Sequence, residues 1–284
     1  MFDIIISSCE KDSFVLSKLI PSIKKFVKNY RRIIVISDKK LTEEENVEWF
    51  DEKKFPFTMK DIYENLYGMK EEQRIRKVSY INQLLKLYSH KVITGLTENI
   101  LICDSDIIFI KDTYFFEGNL PLYGNRIVDF SGYEPYLKHH LKLDIEFDFG
   151  NMFGNKELRK KNKFCSGICH HIIYNREIIN ELIQRIEKKH NQVFWKYYLN
   201  TVDTVTDNIE PANCELYYNY INLFHKDKFR IRNIKWLEKA AANRKKNNII
   251  DNFSNHEKNV TEAMRKDCNY IAYHSYDRKQ YNNK

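Results

Sequence analysis

The feature that most constrains this chain is the order of its first three periodic segments. An apolar run at residues 2–6, interrupted only by Asp3, breaks off in the polar turn Ser7-Ser8-Cys9-Glu10-Lys11-Asp12, as a strand covered on both faces does where it leaves a sheet. Apolar residues then recur at helical spacing, Val15, Leu16, Leu19, Ile23, Phe26 and Val27, with Asp12 or Ser13 in front as the cap. A second apolar run at 33–36 ends in another polar turn, Ser37-Asp38. Strand, helix, strand in this rhythm predicts an α/β protein whose parallel sheet is built with crossover helices.

The same reading predicts an acidic helix near 42–52 and a longer one at about 71–89, with Ile75, Val78, Ile81, Leu84, Leu85 and Tyr88 on one side. A third buried strand is expected at 100–103, resuming at 107–110, and a short one at 125–130. Farther on, strands are expected at about 167–174, 229–234 and 269–273, and helices near 176–189, 191–200, 214–225 and 235–246. The Lys- and Asn-rich stretch 243–259 reads as a loop. No repeat or Pro/Gly/Ser linker divides the chain, and 284 residues with 43% hydrophobic and 14% aromatic content can build one large core. One continuous domain over 1–284 is the expectation.

Charge narrows the function. Lys and Arg number 47 against 39 Asp and Glu, a formal +8, but the basic pairs are scattered among acidic neighbours, whereas a nucleic-acid surface gathers them on one element. The excess suits a small anionic substrate such as a nucleotide diphosphate. Cys9, Cys103, Cys165, Cys169, Cys214 and Cys268 are dilute and lack a framework spacing, so they read as buried thiols in a reducing compartment. With Asp3 ahead of a short apolar stretch and no long apolar run anywhere, neither a leader nor a membrane span is expected, and the placement expected is cytoplasmic.

The chemistry is concentrated in Ile-Leu-Ile-Cys-Asp-Ser-Asp-Ile-Ile-Phe-Ile, residues 100–110, where two carboxylates interrupt an otherwise buried run. Buried Asp requires a partner or a metal, and the carboxyl end of a strand in an α/β sheet is where ligands bind. Two residues apart on extended backbone, Asp104 and Asp106 would point the same way and could grip one hard divalent cation. The other reading of the segment is a strand end followed by a solvated turn.

An aspartate, one residue and a second aspartate after a hydrophobic strand, behind an N-terminal β-α-β unit, resembles the DXD motif of GT-A fold glycosyltransferases. The helix segment Tyr-Ile-Asn-Gln-Leu-Leu-Lys-Leu-Tyr-Ser-His before it resembles the one that leads into the DXD strand in bacterial and giant-virus members. The resemblance is specific over about 73–111 and topological over 1–40. It implies a GT-A fold, Rossmann-like with a mostly parallel sheet, in which 1–111 form the nucleotide-sugar half and 112–284 the acceptor side. It further implies Mn²⁺ or Mg²⁺ at Asp104 and Asp106, with Ser105 between them, and a nucleotide sugar, by family habit a UDP-sugar, as donor. Ser7 and Ser8 in the first turn would meet base or ribose. Gln83 and Lys86, three apart on one helical stripe, would reach phosphate or sugar. His274, just past the last strand, would be a third metal ligand. A hydroxyl on a glycan or glycoprotein would be the acceptor.

Two further segments bear on this reading. Cys165, Cys169, His170 and His171 contain zinc-type ligands, but no second pair completes a tetrahedral set; the segment Ser-Gly-Ile-Cys-His-His resembles the family's stretch after the acceptor-binding region, which implies that one of the two histidines faces the cleft. Glu215 opens an aromatic-rich helix with Tyr217, Tyr218 and Tyr220 behind it, rings that suit sugar faces; it is the candidate base or donor-face group, with Asp207 in reserve. Three rivals stand beside sugar transfer. A haloacid-dehalogenase-like phosphohydrolase would want Thr or Val where Ile108 stands. A sugar nucleotidyltransferase would want glycine in the first turn. A protein that binds nucleotide sugars without turning them over remains the non-catalytic option.

Overall fold

The five-stranded sheet at the centre follows from runs of β-branched residues that have nowhere to go but inside. In the computed structural model, which describes residues 1–66, 74–124, 167, 169–200, 213–239 and 255–273 (without the side chains of 74–79 and 215), strand β1 (Phe2–Ser7) is buried along its whole length. It pairs in parallel with β2 (Tyr30–Ser37) on one side and with β4 (Asn99–Asp104) on the other. Beyond β2 lies β3 (Val47–Asp51), also parallel, and beyond β4 lies β8 (His171–Asn175), antiparallel, giving the order β3-β2-β1-β4-β8. The protein is an α/β fold with a mostly parallel central sheet flanked by helices.

Two smaller sheets complete the strands. In one, β10 (Trp236–Glu238), β11 (Tyr270–Ala272) and β5 (Ile107–Phe109) lie in that order; in the other, β6 (Phe116–Glu117), β7 (Leu120–Gly124) and β9 (Arg230–Arg232). Helix α1 (Ser13–Phe26) joins two cores, with Leu16, Leu19, Ile20 and Ile23 in the main one and Val15 in a second under β5 and β11. Helix α2 (Met59–Asn65) starts at a capping box in which Thr58 and Asp61 satisfy each other's exposed amides. Helix α3 (Arg74–Val92) packs on β1 and brings Leu84, Leu85 and Leu87 into the core. Helix α4 (Arg176–His190) buries Ile178, Ile179, Leu182, Ile183 and Ile186 along one stripe, each side chain worth about 1.5 to 3 kcal/mol of transfer free energy. Then come α5 (Phe194–Asn200), α6 (Asn213–Phe224) and α7 (His256–Arg265).

Four expectations change. Residues 47–51 of the expected acidic helix form β3 instead. Asn46 adopts a left-handed φ of 60° that stops the acidic stretch, and the open edge of β2 supplies backbone partners worth more than helix propensity. Residues 236–238, expected helical, form β10 for the same reason, pairing with β11. The expected loop 243–259 runs into α7, which begins at His256. Finally, β5 does not resume β4: the chain turns at Ser105 and Asp106 and leaves for the second sheet. The strand expected at 125–130 lies outside the described residues.

One buried acid, Asp3, ties the end of the sheet remote from these turns. Arg31 grips its carboxylate with Nε at 2.8 Å and Nη2 at 2.6 Å, and the Thr97 amide donates to it at 2.9 Å. Burial pushes the Asp3 carboxyl up, yet the Arg31 and Thr97 hydrogen bonds and the charge of Arg32 outweigh burial and hold it below the usual range.

Candidate functional site

The strand order places a crevice. From β1 the chain runs outward through β2 to β3, then returns to lay β4 on the opposite side of β1. The carboxyl ends of β1 and β4 therefore flank the switch point of an open α/β sheet, where the loops part and leave room for a ligand. Ser7 is in register with Asp104 across this point. The hydroxyls of Ser7 and Ser8, each 3% exposed, have no hydrogen-bond partner among the described residues. Buried hydroxyls are nearly always satisfied, so two orphans side by side mark a place for a polar ligand.

Asp104 ends β4, and its amide donates to the His170 carbonyl at 2.8 Å. Its Oδ1 is ion-paired with Lys86 Nζ from α3. Burial pulls the Lys86 ammonium down, but the charge and hydrogen bond of Asp104, with a contribution from Asp106, more than restore it, and Lys86 titrates above its ordinary value. Asp106 lies in the turn, its carbonyl accepting from the Tyr273 amide at 2.7 Å. The turn replaces the extended backbone expected of the motif, so any shared aim of the two carboxylates comes from turn geometry. Ser105 Oγ lies 3.4 Å from Asp12 Oδ2, linking this turn to the first β-α turn.

Gln83 and Lys86 do share a side of α3, but it is the inward side. Lys86 is 8% exposed, and the half-buried Gln83 accepts the Asn213 amide at 3.0 Å, capping the first turn of α6. That bond draws the helix carrying Glu215 to the crevice. Gly167 wedges against the same helix end: a Cβ there would meet Tyr218 Cβ at 2.3 Å and the Cys214 carbonyl at 2.9 Å. The tyrosines behind Glu215 are core residues, contrary to expectation. Tyr217, Tyr218 and Tyr220 are 0–1% exposed, and Tyr217 accepts the Asn175 amide at 2.9 Å.

Of the two histidines, His170 is the one whose peptide carries Asp104. Its Nδ1 lies 3.3 Å from the Tyr270 hydroxyl and its ring meets Trp236 edge on. His171 is enclosed by Phe109, Phe115 and Tyr270. Among the described residues no two cysteines are joined in a disulfide. Asp207 and His274 lie outside the described residues. Within them no group of three or more His, Cys, Asp or Glu converges as a metal site, and no helix is long and apolar enough to cross a membrane. Asp104 and Asp106 still supply oxygen donors of the kind Mg²⁺ or Mn²⁺ takes, so the residues present fit part of such a site.

No protein-family model and no curated protein matches the sequence. Among solved structures, the chain is similar to the galactosyltransferase LgtC, crystallised with donor and acceptor sugar analogues, at 12% identity over 96% of this chain and 87% of that one, with a TM-score of 0.47. It is similar to the bifunctional glycosyltransferase WbbM at 14% identity, covering 97% of this chain and 46% of that one, less than half its length, with a TM-score of 0.42. Mouse xyloside xylosyltransferase 1 gives 8% identity over 97% and 98% of the two chains and a TM-score of 0.41. At such values the likeness is one of general shape, and what the crevice can do is read from its own residues.

Proposed function

We propose that this chain is a metal-dependent glycosyltransferase of the GT-A type, moving a sugar from a nucleotide-sugar donor, a UDP-sugar by preference, to a hydroxyl on a glycan or glycoprotein. The observation that carries the reading is the meeting at one switch point of the Asp104-Ser105-Asp106 turn with the orphaned hydroxyls of Ser7 and Ser8. An anionic nucleotide needs polar partners on the base and ribose side and positive charge at the diphosphate. Ser7 and Ser8 fill the first role. Asp104 and Asp106, completed by His274, fill the second by holding Mn²⁺ or Mg²⁺, which when bound would act as a Lewis acid on the leaving diphosphate.

The protein's own groups account for the remaining steps. Lys86, already charged beside Asp104, can turn its ammonium to a donor phosphate or sugar hydroxyl once the carboxylate is engaged elsewhere. Gln83 orients α6 by capping it, and so positions Glu215. Glu215 then either takes the proton of the attacking hydroxyl or steadies the reacting face of the donor sugar, with Asp207 as the alternative.

The test is a thermal-shift panel of nucleotide sugars with and without Mn²⁺. A UDP-sugar with Mn²⁺ present at about a hundred times its Kd should stabilise the fold by about 2.7 kcal/mol, and Asp106→Ala should remove the effect. Equal shifts with and without the metal, or none with any nucleotide, would end this reading.

A further inference from the structure

Arg232, on β9, is a half-buried cation to which the described residues offer no anion. Its Nη1 donates to the Tyr114 carbonyl, and its guanidinium lies over the Phe115 ring, 4.7 Å from the centroid. Its Nε and Nη2 are buried and, among the described residues, have no hydrogen-bond partner. Burial pulls the guanidinium down to about 10, and no carboxylate of the described residues offsets it.

A second orphan lies beside it. His171 is 3% exposed, and its Nε2 is buried without a partner. Its ring meets the same Phe115 edge to face, with centroids 5.0 Å apart and planes at 88°. Burial, and then the nearby Arg232, hold the imidazole neutral well below its usual range.

Native interiors leave few polar atoms unpaired, and a buried charge with no partner is among the least favourable arrangements a fold can hold. Here three nitrogens on two side chains share one aromatic neighbour, and none meets an acceptor. A cation would be repelled by Arg232. Cys169 is not the missing anion: its Sγ donates to the His171 carbonyl at 2.7 Å, which keeps the proton on sulfur. What fits is an acceptor from outside the chain, small enough for a buried place and negative enough to balance a guanidinium.

We propose that Arg232 and His171 form a buried site for a small inorganic anion, held by the Arg232 Nε and Nη2 protons and the His171 Nε2 proton. The site involves neither Asp104 nor Asp106 and does not depend on the function proposed for them.

Thermal unfolding in chloride or in phosphate, with ionic strength held constant by gluconate, tests this on the full chain. The wild-type midpoint should rise by roughly 5 °C from zero to saturating chloride or phosphate, and the anion with the lower half-saturation identifies the natural occupant. Arg232→Met should flatten the rise. Arg230→Met, which removes an equal charge from an exposed position on the same strand, should leave it intact. A rise of the same size in Arg232→Met, or none in the wild type, overturns the proposal. Should Arg232→Met fail to fold, chloride-35 NMR on the wild type decides: excess line broadening relieved by phosphate supports the site, and its absence removes it.

Discussion

Lys86 and Asp104 form an ion pair across the gap between α3 and the end of β4, with the lysine side chain 10% exposed and the aspartate 33%. The ammonium thus stands where the first carboxylate of the proposed metal motif would work. Its energetic weight is unequal on the two sides, because only the lysine is deeply desolvated.

Removing the carboxylate should therefore hurt more than removing both groups. Asp104→Asn strands the buried ammonium and is expected to lower stability by about 2 kcal/mol, a figure discounted for the aspartate's exposure. The double variant Asp104→Asn, Lys86→Met should regain most of that loss. Urea unfolding of the four proteins in a double-mutant cycle measures the coupling.

Glu215 and Asp106 should fail differently. Asp106→Ala is expected to abolish Mn²⁺-dependent UDP binding together with turnover. Glu215→Gln should spare UDP binding by calorimetry and lower kcat by ~10²- to 10⁴-fold, because a base or donor-face group acts chiefly in the transition state. Released UDP reports turnover even where water replaces the acceptor. Wild-type kcat in Glu215→Gln would move the role to Asp207 or to the His170 and His171 segment.

Gly167→Ala should disturb the same helix from behind. The added methyl would overlap Tyr218 at 2.3 Å, and overpacking of this kind costs about 1 to 3 kcal/mol. The crevice should respond too, since α6 is capped by Gln83: kcat is expected to fall while UDP affinity changes little. Guanidinium unfolding and UDP release give the two readouts.

Acid should destabilise the fold through His90. The ring is 5% exposed, its Nδ1 lies 2.8 Å from the Leu87 carbonyl, and burial pulls it down to about 4. The unfolded chain binds its proton near 6.5, so this stability is fully present above that pH. It is lost as pH falls toward 4, by up to roughly 3 kcal/mol. Unfolding free energies between pH 7 and 4 should fall less steeply in His90→Leu than in wild type, and equal slopes would clear His90.

The sequence by itself determined the local elements and the position of the motif. The buried runs of β1, β2 and β4, the stripes of α1, α3 and α4, and the two aspartates interrupting an apolar stretch are all short-range patterns, set by periodicity and by the cost of burying charge. Tertiary structure decided what depends on distant partners. β3 and β10 are strands because a neighbouring edge offered hydrogen bonds, and Ser105 and Asp106 form a turn because β11 captures the residues that follow. Lys86 is buried because Asp104 meets it there, and Tyr217, Tyr218 and Tyr220 are core because α6 packs inward. Nor could spacing reveal that Arg232 and His171 would share one phenylalanine ring. Periodicity reports which side of an element is apolar, whereas pairing and charge balance are properties of surfaces that meet only after the chain has folded.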